Sequence, residues 1–191
     1  MTEFDEKYYN SVNYDNYMER GAKYIQTARD LLHILRYLNL DKEPFLDFGC
    51  AVGFLMDGIK KERYDVVGVD ISDWALSKAR ERGHLVSKEI DFTQKYGVTF
   101  ALDVFEHMNE DDLVNTFEQL NSKTIAFRMP VCREGEDDFV LECSRADPTH
   151  VIKWSANDWN QWFRYYGYHV LELNTPTIYT SEGVYAGLAI R

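Results

Sequence analysis

The 191-residue chain carries 21 basic and 32 acidic residues, for a net charge of −11, and 45% of its residues are hydrophobic. That balance belongs to an ordinary folded globule and argues against a general phosphate-backbone binder, which presents a basic face; no run of Lys and Arg supplies one locally. An aromatic content of 15% excludes a largely disordered chain, and the length predicts one domain burying about 70% of its unfolded surface.

Cys50, Cys132 and Cys143 have neither the spacing of a metal site nor the even count of a disulfide framework, so reduced thiols in a cytoplasmic protein are expected. The first residues show no basic stretch followed by an apolar core, and no apolar run approaches the ~20 residues that span a bilayer. A membrane partner is therefore not expected. No repeat, low-complexity tract or proline-rich linker interrupts the chain.

Phe4, Tyr8, Tyr9, Tyr14 and Tyr17 lie among Asn, Asp and Ser. The segment is too polar for a core strand, yet its rings call for partial burial with each hydroxyl near a partner. It is either a lid over a cleft or an arm packed on the surface. From Gly21 to Leu40, apolar residues recur at three- and four-residue steps (Ile25, Ala28, Leu31, Leu32, Leu35, Leu38), which predicts a helix covering a sheet face. Pro44 then precedes the first strand.

Phe45-Leu-Asp-Phe-Gly-Cys-Ala-Val-Gly53 and the helix-compatible residues 54–61 read as strand, glycine turn and helix. This order places a bare backbone corner at the carboxyl edge of a sheet, where ligands of open α/β sheets sit. Tyr64 to Ile71 is a β-branched run typical of a buried strand, ending in Asp70. The step of about twenty residues from the glycines sets that carboxylate beside the corner, able to hold both hydroxyls of a ribose. Ser72 or Asp73 caps a helix from Trp74 to Arg82, which Gly83 ends.

Leu85 to Ile90 reads as a third strand, delivering Asp91 and Phe92; Val98 to Val104 is a fourth, delivering Asp103 and then Phe105-Glu106-His107. Asn109, with Asp112 three residues on, caps a helix in which Leu113, Phe117 and Leu120 share a face. Thr124 to Met129 is a fifth strand, ended by Pro130. Residues 131–153 form a charged connection long enough to be either functional or mobile. Ser155 caps a helix whose stripe of Trp159, Trp162, Phe163 and Tyr166 is read as core, and Gly167 ends it. Tyr168–Leu173 and Val184–Ile190 are joined by a short link that suits a hairpin, so the last strand runs antiparallel to the others.

Alternating strands and helices predict an α/β, doubly wound sheet of seven strands, mostly parallel, with helices on both faces. Residues 1–43 supply an arm and a covering helix, and residues 44–191 the core, with 131–153 as its long loop. Asp47, Asp70, Asp91 and Asp103 all fall at strand ends and so line one crevice. A crevice this acidic suits a cationic ligand bearing a nucleoside better than a pyrophosphate.

Asp47-Phe-Gly-Cys-Ala-Val-Gly53, Val67-Gly-Val-Asp-Ile-Ser72, Asp91-Phe92 and Asp103-Val-Phe-Glu-His107 together resemble the successive motifs of class I S-adenosylmethionine-dependent methyltransferases, whose fold is Rossmann-like. The similarity extends from Phe45 to the C-terminus. It includes His150-Val-Ile-Lys-Trp-Ser155 and Gly167-Tyr-His-Val170, which look like the closing segment of the small-molecule branch. The resemblance implies S-adenosyl-L-methionine as cofactor and S-adenosyl-L-homocysteine as product. It places Gly49, Cys50, Ala51 and Gly53 against the methionine part and Asp47 toward its ammonium through water. By the same resemblance Asp70 holds the ribose hydroxyls, Ile71 packs on the adenine, Asp91 accepts from its amine beside Phe92, and Asp103 lies near the methionine end. Ala51 stands where the family has its middle glycine, and a methyl group is the smallest possible intrusion there.

In-line positioning of an acceptor against a sulfonium donor can supply several kcal/mol, out of the ~7–11 kcal/mol open to well-oriented reactants. A hydroxyl acceptor must also lose a proton; His107, His150 and then Glu106 are the candidates. Each histidine has a structural alternative: His107 as a satisfied ring at a helix start, His150 as a hydrogen-bonded anchor of the loop. Tyr9, Tyr14 and Tyr17 could close the acceptor pocket. The fourth strand lacks the Pro-Pro-aromatic stretch of amine-directed DNA methyltransferases, and Pro130-Val-Cys132 is not the adjacent Pro-Cys of cytosine-C5 enzymes. A small-molecule or carrier-linked acceptor follows. Two rivals remain: a binding protein that keeps the pocket without catalysis, and an NAD-dependent oxidoreductase, which would want Gly-x-Gly-x-x-Gly at the turn.

Overall fold

The computed structural model describes residues 4–10 and 17–191, so the expectation for Tyr14 lies outside the described residues. Seven strands form one sheet in the order β3-β2-β1-β4-β5-β7-β6. They are β1 (Phe45–Phe48), β2 (Val66–Val69), β3 (Val86–Ser87), β4 (Tyr96–Leu102), β5 (Ser122–Pro130), β6 (His169–Glu172) and β7 (Val184–Ile190). The first five are parallel, and β7 runs antiparallel between β5 and β6.

Helices cover both faces. On one side α2 (Gly21–Tyr37) and α3 (Phe54–Lys61) bury Leu31, Leu32, Leu35, Met56 and Ile59 against Phe45, Val98 and Phe100, with Leu76 of α4 (Asp73–Glu81) joining them. On the other, α5 (Glu110–Gln119) and α7 (Ala156–Tyr165) bury Leu113, Phe117, Trp159 and Phe163 against Leu46, Ile125 and Phe127. The aromatic stripe of α7 is therefore core, as its spacing predicts. Caps expected from sequence also form. Ser72 Oγ accepts from Ala75 N, Asn109 Oδ1 from Asp112 N, and Ser155 with Asp158 closes a reciprocal capping box.

The third strand differs most from expectation. It spans two residues rather than Leu85 to Ile90, because β3 is the sheet edge, pairs on the β2 side, and leaves Leu85 70% exposed. Residues 131–153 are not a free loop. They include the short helix α6 (Glu142–Arg145), and Val151 and Ile152 both donate backbone N–H groups to Glu106 O, at 2.8 and 3.1 Å. The helix α1 (Glu6–Tyr9), capped by Asp5, lies over the carboxyl edge: Tyr9 stacks on Trp74 at 5.1 Å and Tyr8 Oη donates to Asp147 Oδ2 at 3.2 Å.

Candidate active site

The strand order reverses between β1 and β4, and the crevice outside their carboxyl ends is where an open α/β sheet takes its ligand. The turns that leave these two strands build the site. After β1, Gly49 and Gly53 have φ of +75° and +84°. A Cβ on Gly49 would stand 2.4 Å from Val104 Cγ2, and one on Gly53 would stand 2.4 Å from His84 Cδ2. Both glycines are thus demanded by backbone conformation and by protein neighbours. Ala51, at the middle-glycine position, itself adopts φ +45°, and its N–H donates to Asp70 Oδ2 at 2.8 Å. Asp70 Oδ1 accepts from Ser72 N, also at 2.8 Å. Two backbone donors fix this carboxylate, and each oxygen keeps a lone pair for a ligand hydroxyl. Burial raises its pKa, against the pull of those two N–H groups.

A cavity of about 660 Å³ opens at this corner, the size of a cofactor site. Gly49, Ala51, Asp70, Ile71, Ile90 and Phe92 line one end; Asp103, His107 and Met108 line the other, with Phe4, Tyr8, Tyr9 and Tyr17 also in its wall. Ile71 is 68% exposed, an apolar side chain left open where a flat ring would cover it. Asp47 lies beneath, buried, with Oδ2 lacking any hydrogen-bond partner among the described residues. Burial, and secondarily the charge of Asp70, pushes its carboxyl up to about 8. An orphaned acid beside a second carboxylate suits an ammonium group. The residues present therefore fit S-adenosylmethionine: an acid pair for the ammonium and ribose ends, and apolar side chains for the base.

At the far end Asp103 has φ +57° and forms a bidentate pair with Arg128 of β5, whose Nε is 2.9 Å from Oδ1. The following turn, Phe105–His107, carries Glu106 and His107. Glu106 is fully buried, and neither of its oxygens has a hydrogen-bond partner among the described residues. Burial, and then Asp103, raises its pKa well above the carboxylate range. His107 Nδ1 is 2.8 Å from Thr149 Oγ1, and burial with the neighbouring His150 pushes its pKa down to about 4. His150, whose ring centroid is 4.5 Å from that of His107, has Nδ1 3.0 Å from Ser144 O and a pKa lowered chiefly by burial. The structural alternative for each histidine thus holds for one ring nitrogen, and the other nitrogen is left for chemistry.

Of the residues expected at the site, Gly49, Ala51, Asp70, Ile71, Phe92, Asp103 and His107 line the cavity. Glu106 and His150 line an adjoining cavity of about 320 Å³, which shares Asp103 with the first. Asp47, Cys50, Gly53 and Asp91 do not line it; the Cys50 thiol turns into the core against Gly68 and Met56, where burial raises its pKa. Asp91 is exposed, and its Oδ1 is taken by the N–H and hydroxyl of Thr93. Sequence reasoning misses Arg128 and the Asp147–Thr149 pair. Arg128 carries a signal, as the one charge in the apolar run Thr124 to Met129. Asp147 and Thr149 carry none, since only folding of the long loop brings them under His107.

Several solved structures share this architecture. Magnesium protoporphyrin IX methyltransferase from Synechocystis PCC 6803, with bound S-adenosylmethionine, superposes with a TM-score of 0.63 at 16% identity, over 97% of this chain and 94% of that one. The plantazolicin methyltransferase BpumL, in complex with S-adenosylhomocysteine, gives 0.66 at 17% identity, over 97% and 90%. A methyltransferase from Archaeoglobus fulgidus gives 0.62 at 17% identity, over 93% and 100%. No curated protein matches the chain in sequence. The sequence pattern of one family, described as "Methyltransferase domain", matches residues 18–173. With the corner, the acid pair and the reversed strand order all in place, the chain belongs to the methyltransferase-domain family.

Proposed function

We propose that the protein transfers the methyl group of S-adenosylmethionine to a small-molecule or carrier-linked acceptor. The observation that carries this reading is the cavity at the strand-order reversal, with Asp70 at one end and Asp103 and His107 at the other. When bound, the cofactor supplies an activated methyl group on a sulfonium. Asp70 would hold ribose hydroxyls on oxygens already oriented by Ala51 and Ser72. Asp47 would answer the ammonium, and Ile71 with Phe92 would cover the adenine. Asp103, held by Arg128, would border the methyl-bearing end. Phe4, Tyr8 and Tyr9 stand in the wall of the cavity, and positioning of the acceptor would do most of the work. The relatives named for magnesium protoporphyrin IX and plantazolicin support an acceptor outside nucleic acid, in keeping with the net charge of −11.

Calorimetric titration with S-adenosylmethionine, S-adenosylhomocysteine and NAD, alongside the Asp70→Ala variant, tests the reading. Micromolar binding of both sulfur ligands, weakened at least tenfold in the variant, is the expected result. Binding of NAD without either sulfur ligand would refute it.

A further inference from the structure

Glu106, His107 and His150 meet in the partition between the two cavities, His107 lining the larger and the other two lining the smaller. One ligand atom from each lies within 4.8 Å of the others. The hydrogen bonds behind them settle which atoms carry protons. Thr149 Oγ1 has a single hydrogen and donates it to Asp147 Oδ1 at 2.6 Å, so it accepts from His107, whose proton is then on Nδ1. Ser144 O is a carbonyl and can only accept, so the proton of His150 is on Nδ1 as well. Both rings therefore keep a free lone pair on Nε2. His107 Nε2 stands 4.0 Å from Glu106 Oε1, and His150 Nε2 stands 3.9 Å from Asp147 Oδ2. Electron-pair donors converge here, and the buried Glu106 carboxylate among them has no hydrogen-bond donor among the described residues.

We propose that Glu106, His107 and His150 bind one divalent transition-metal cation, which presents its open positions to an oxygen ligand in the adjoining cavity. Two imidazoles and a carboxylate suit borderline cations such as Zn²⁺, Co²⁺ or Mn²⁺ better than Mg²⁺ or Ca²⁺. With metal–ligand distances of ~2.0–2.2 Å, bound ligand atoms stand about 3–4 Å apart, so the widest spacing, 4.8 Å, needs to contract by about 1–2 Å. Thr149 and Ser144 already orient the imidazoles in the manner of metal-ligating histidines. The smaller cavity supplies the way in. Three protein ligands leave positions for an acceptor hydroxyl, whose proton a bound cation makes easier to lose to water. That use of the cation rests on the methyl-transfer reading; binding of the cation does not.

The test is a titration of the full chain with Co²⁺, followed by visible absorption, with S-adenosylhomocysteine binding measured on the same samples. One equivalent of Co²⁺ giving d–d bands is expected. Glu106→Gln should weaken Co²⁺ at least a hundredfold and Thr149→Val about tenfold, both retaining S-adenosylhomocysteine binding as proof of folding. Absence of Co²⁺ binding in a protein that binds S-adenosylhomocysteine would overturn the cation site alone. Bands unchanged in Glu106→Gln would also overturn it, since the cobalt would then sit on other histidines or on the exposed Cys143. Co²⁺ binding without S-adenosylhomocysteine binding would support the site while refuting the cofactor reading.

Discussion

Asp47→Asn is expected to remove part of the loss of stability that the ligand-free protein suffers between pH 6 and pH 8, and to make it a poorer binder of S-adenosylmethionine. The folded Asp47 carboxyl titrates at about 8 against an ordinary 3.8, chiefly through burial and then through the charge of Asp70. Between these values the folded state keeps a proton that the unfolded chain has lost. Stability therefore falls as pH rises through the window, by about 1.4 kcal/mol per pH unit. From pH 6 to pH 8, allowing for partial ionisation near pH 8, this one group removes about 2 kcal/mol. An asparagine side chain keeps the shape and does not titrate. Its own unpartnered amide adds a cost independent of pH, so the comparison rests on the slope. Urea unfolding of the ligand-free wild type and the Asp47→Asn variant at pH 6 and pH 8 isolates the difference, because every other titrating group is common to both. A gap between the two proteins that changes by about 2 kcal/mol in favour of the variant is the expected outcome. Parallel pH dependences would refute the reasoning, and so would a variant that binds S-adenosylmethionine as tightly as the wild type.

Gly53→Ala should lower stability by about 2 kcal/mol, because φ of +84° is strained for Ala and the new Cβ would strike His84, which is bonded to Asp57. An unchanged melting temperature would show that the corner relaxes freely. Trp159→Ala should lose about 3–5 kcal/mol in urea unfolding through the cavity left in the core under β5. Trp159→Phe should lose far less, since the indole Nε1 is buried without a partner among the described residues and its removal relieves that penalty. Equal losses for the two would contradict this assignment.

Helices α4, α5 and α7 are readable twice over, by an apolar face and by a cap, whereas α2 is readable from its apolar face alone. Ser72, Asn109 and Ser155 each precede such a face and each accepts from the first turn. Central strands are readable from β-branched runs. The edge strand is not: residues 85–90 have the composition of a strand, but pairing on one side only leaves most of them outside the ladder. At the site, residues that follow directly on a strand, such as Asp70 and Asp103, can be placed by counting along the chain. The role of the glycines cannot, since what Gly49 and Gly53 approach are Val104 and His84, one from the neighbouring crossover and one from the end of the next helix. The surroundings of His107 are equally hidden. Thr149 and Ser144 reach the histidines through a long connection whose course depends on two bonds to Glu106 O.

The position of β7 bears on how the chain is made. Although last in sequence, it lies between β5 and β6 and supplies the ladder on which β6 pairs. A ribosome releasing this protein can complete the parallel half of the sheet, from β3 to β5, well before Val184–Ile190 is free to pair. Until then β5 offers a nine-residue open edge and β6 has no strand beside it in the sheet. Synthesis therefore passes through a stage in which a nearly finished domain displays the kind of edge that invites pairing with another copy. The hairpin from β6 to β7 covers that edge, so β7 acts as the latch of the sheet.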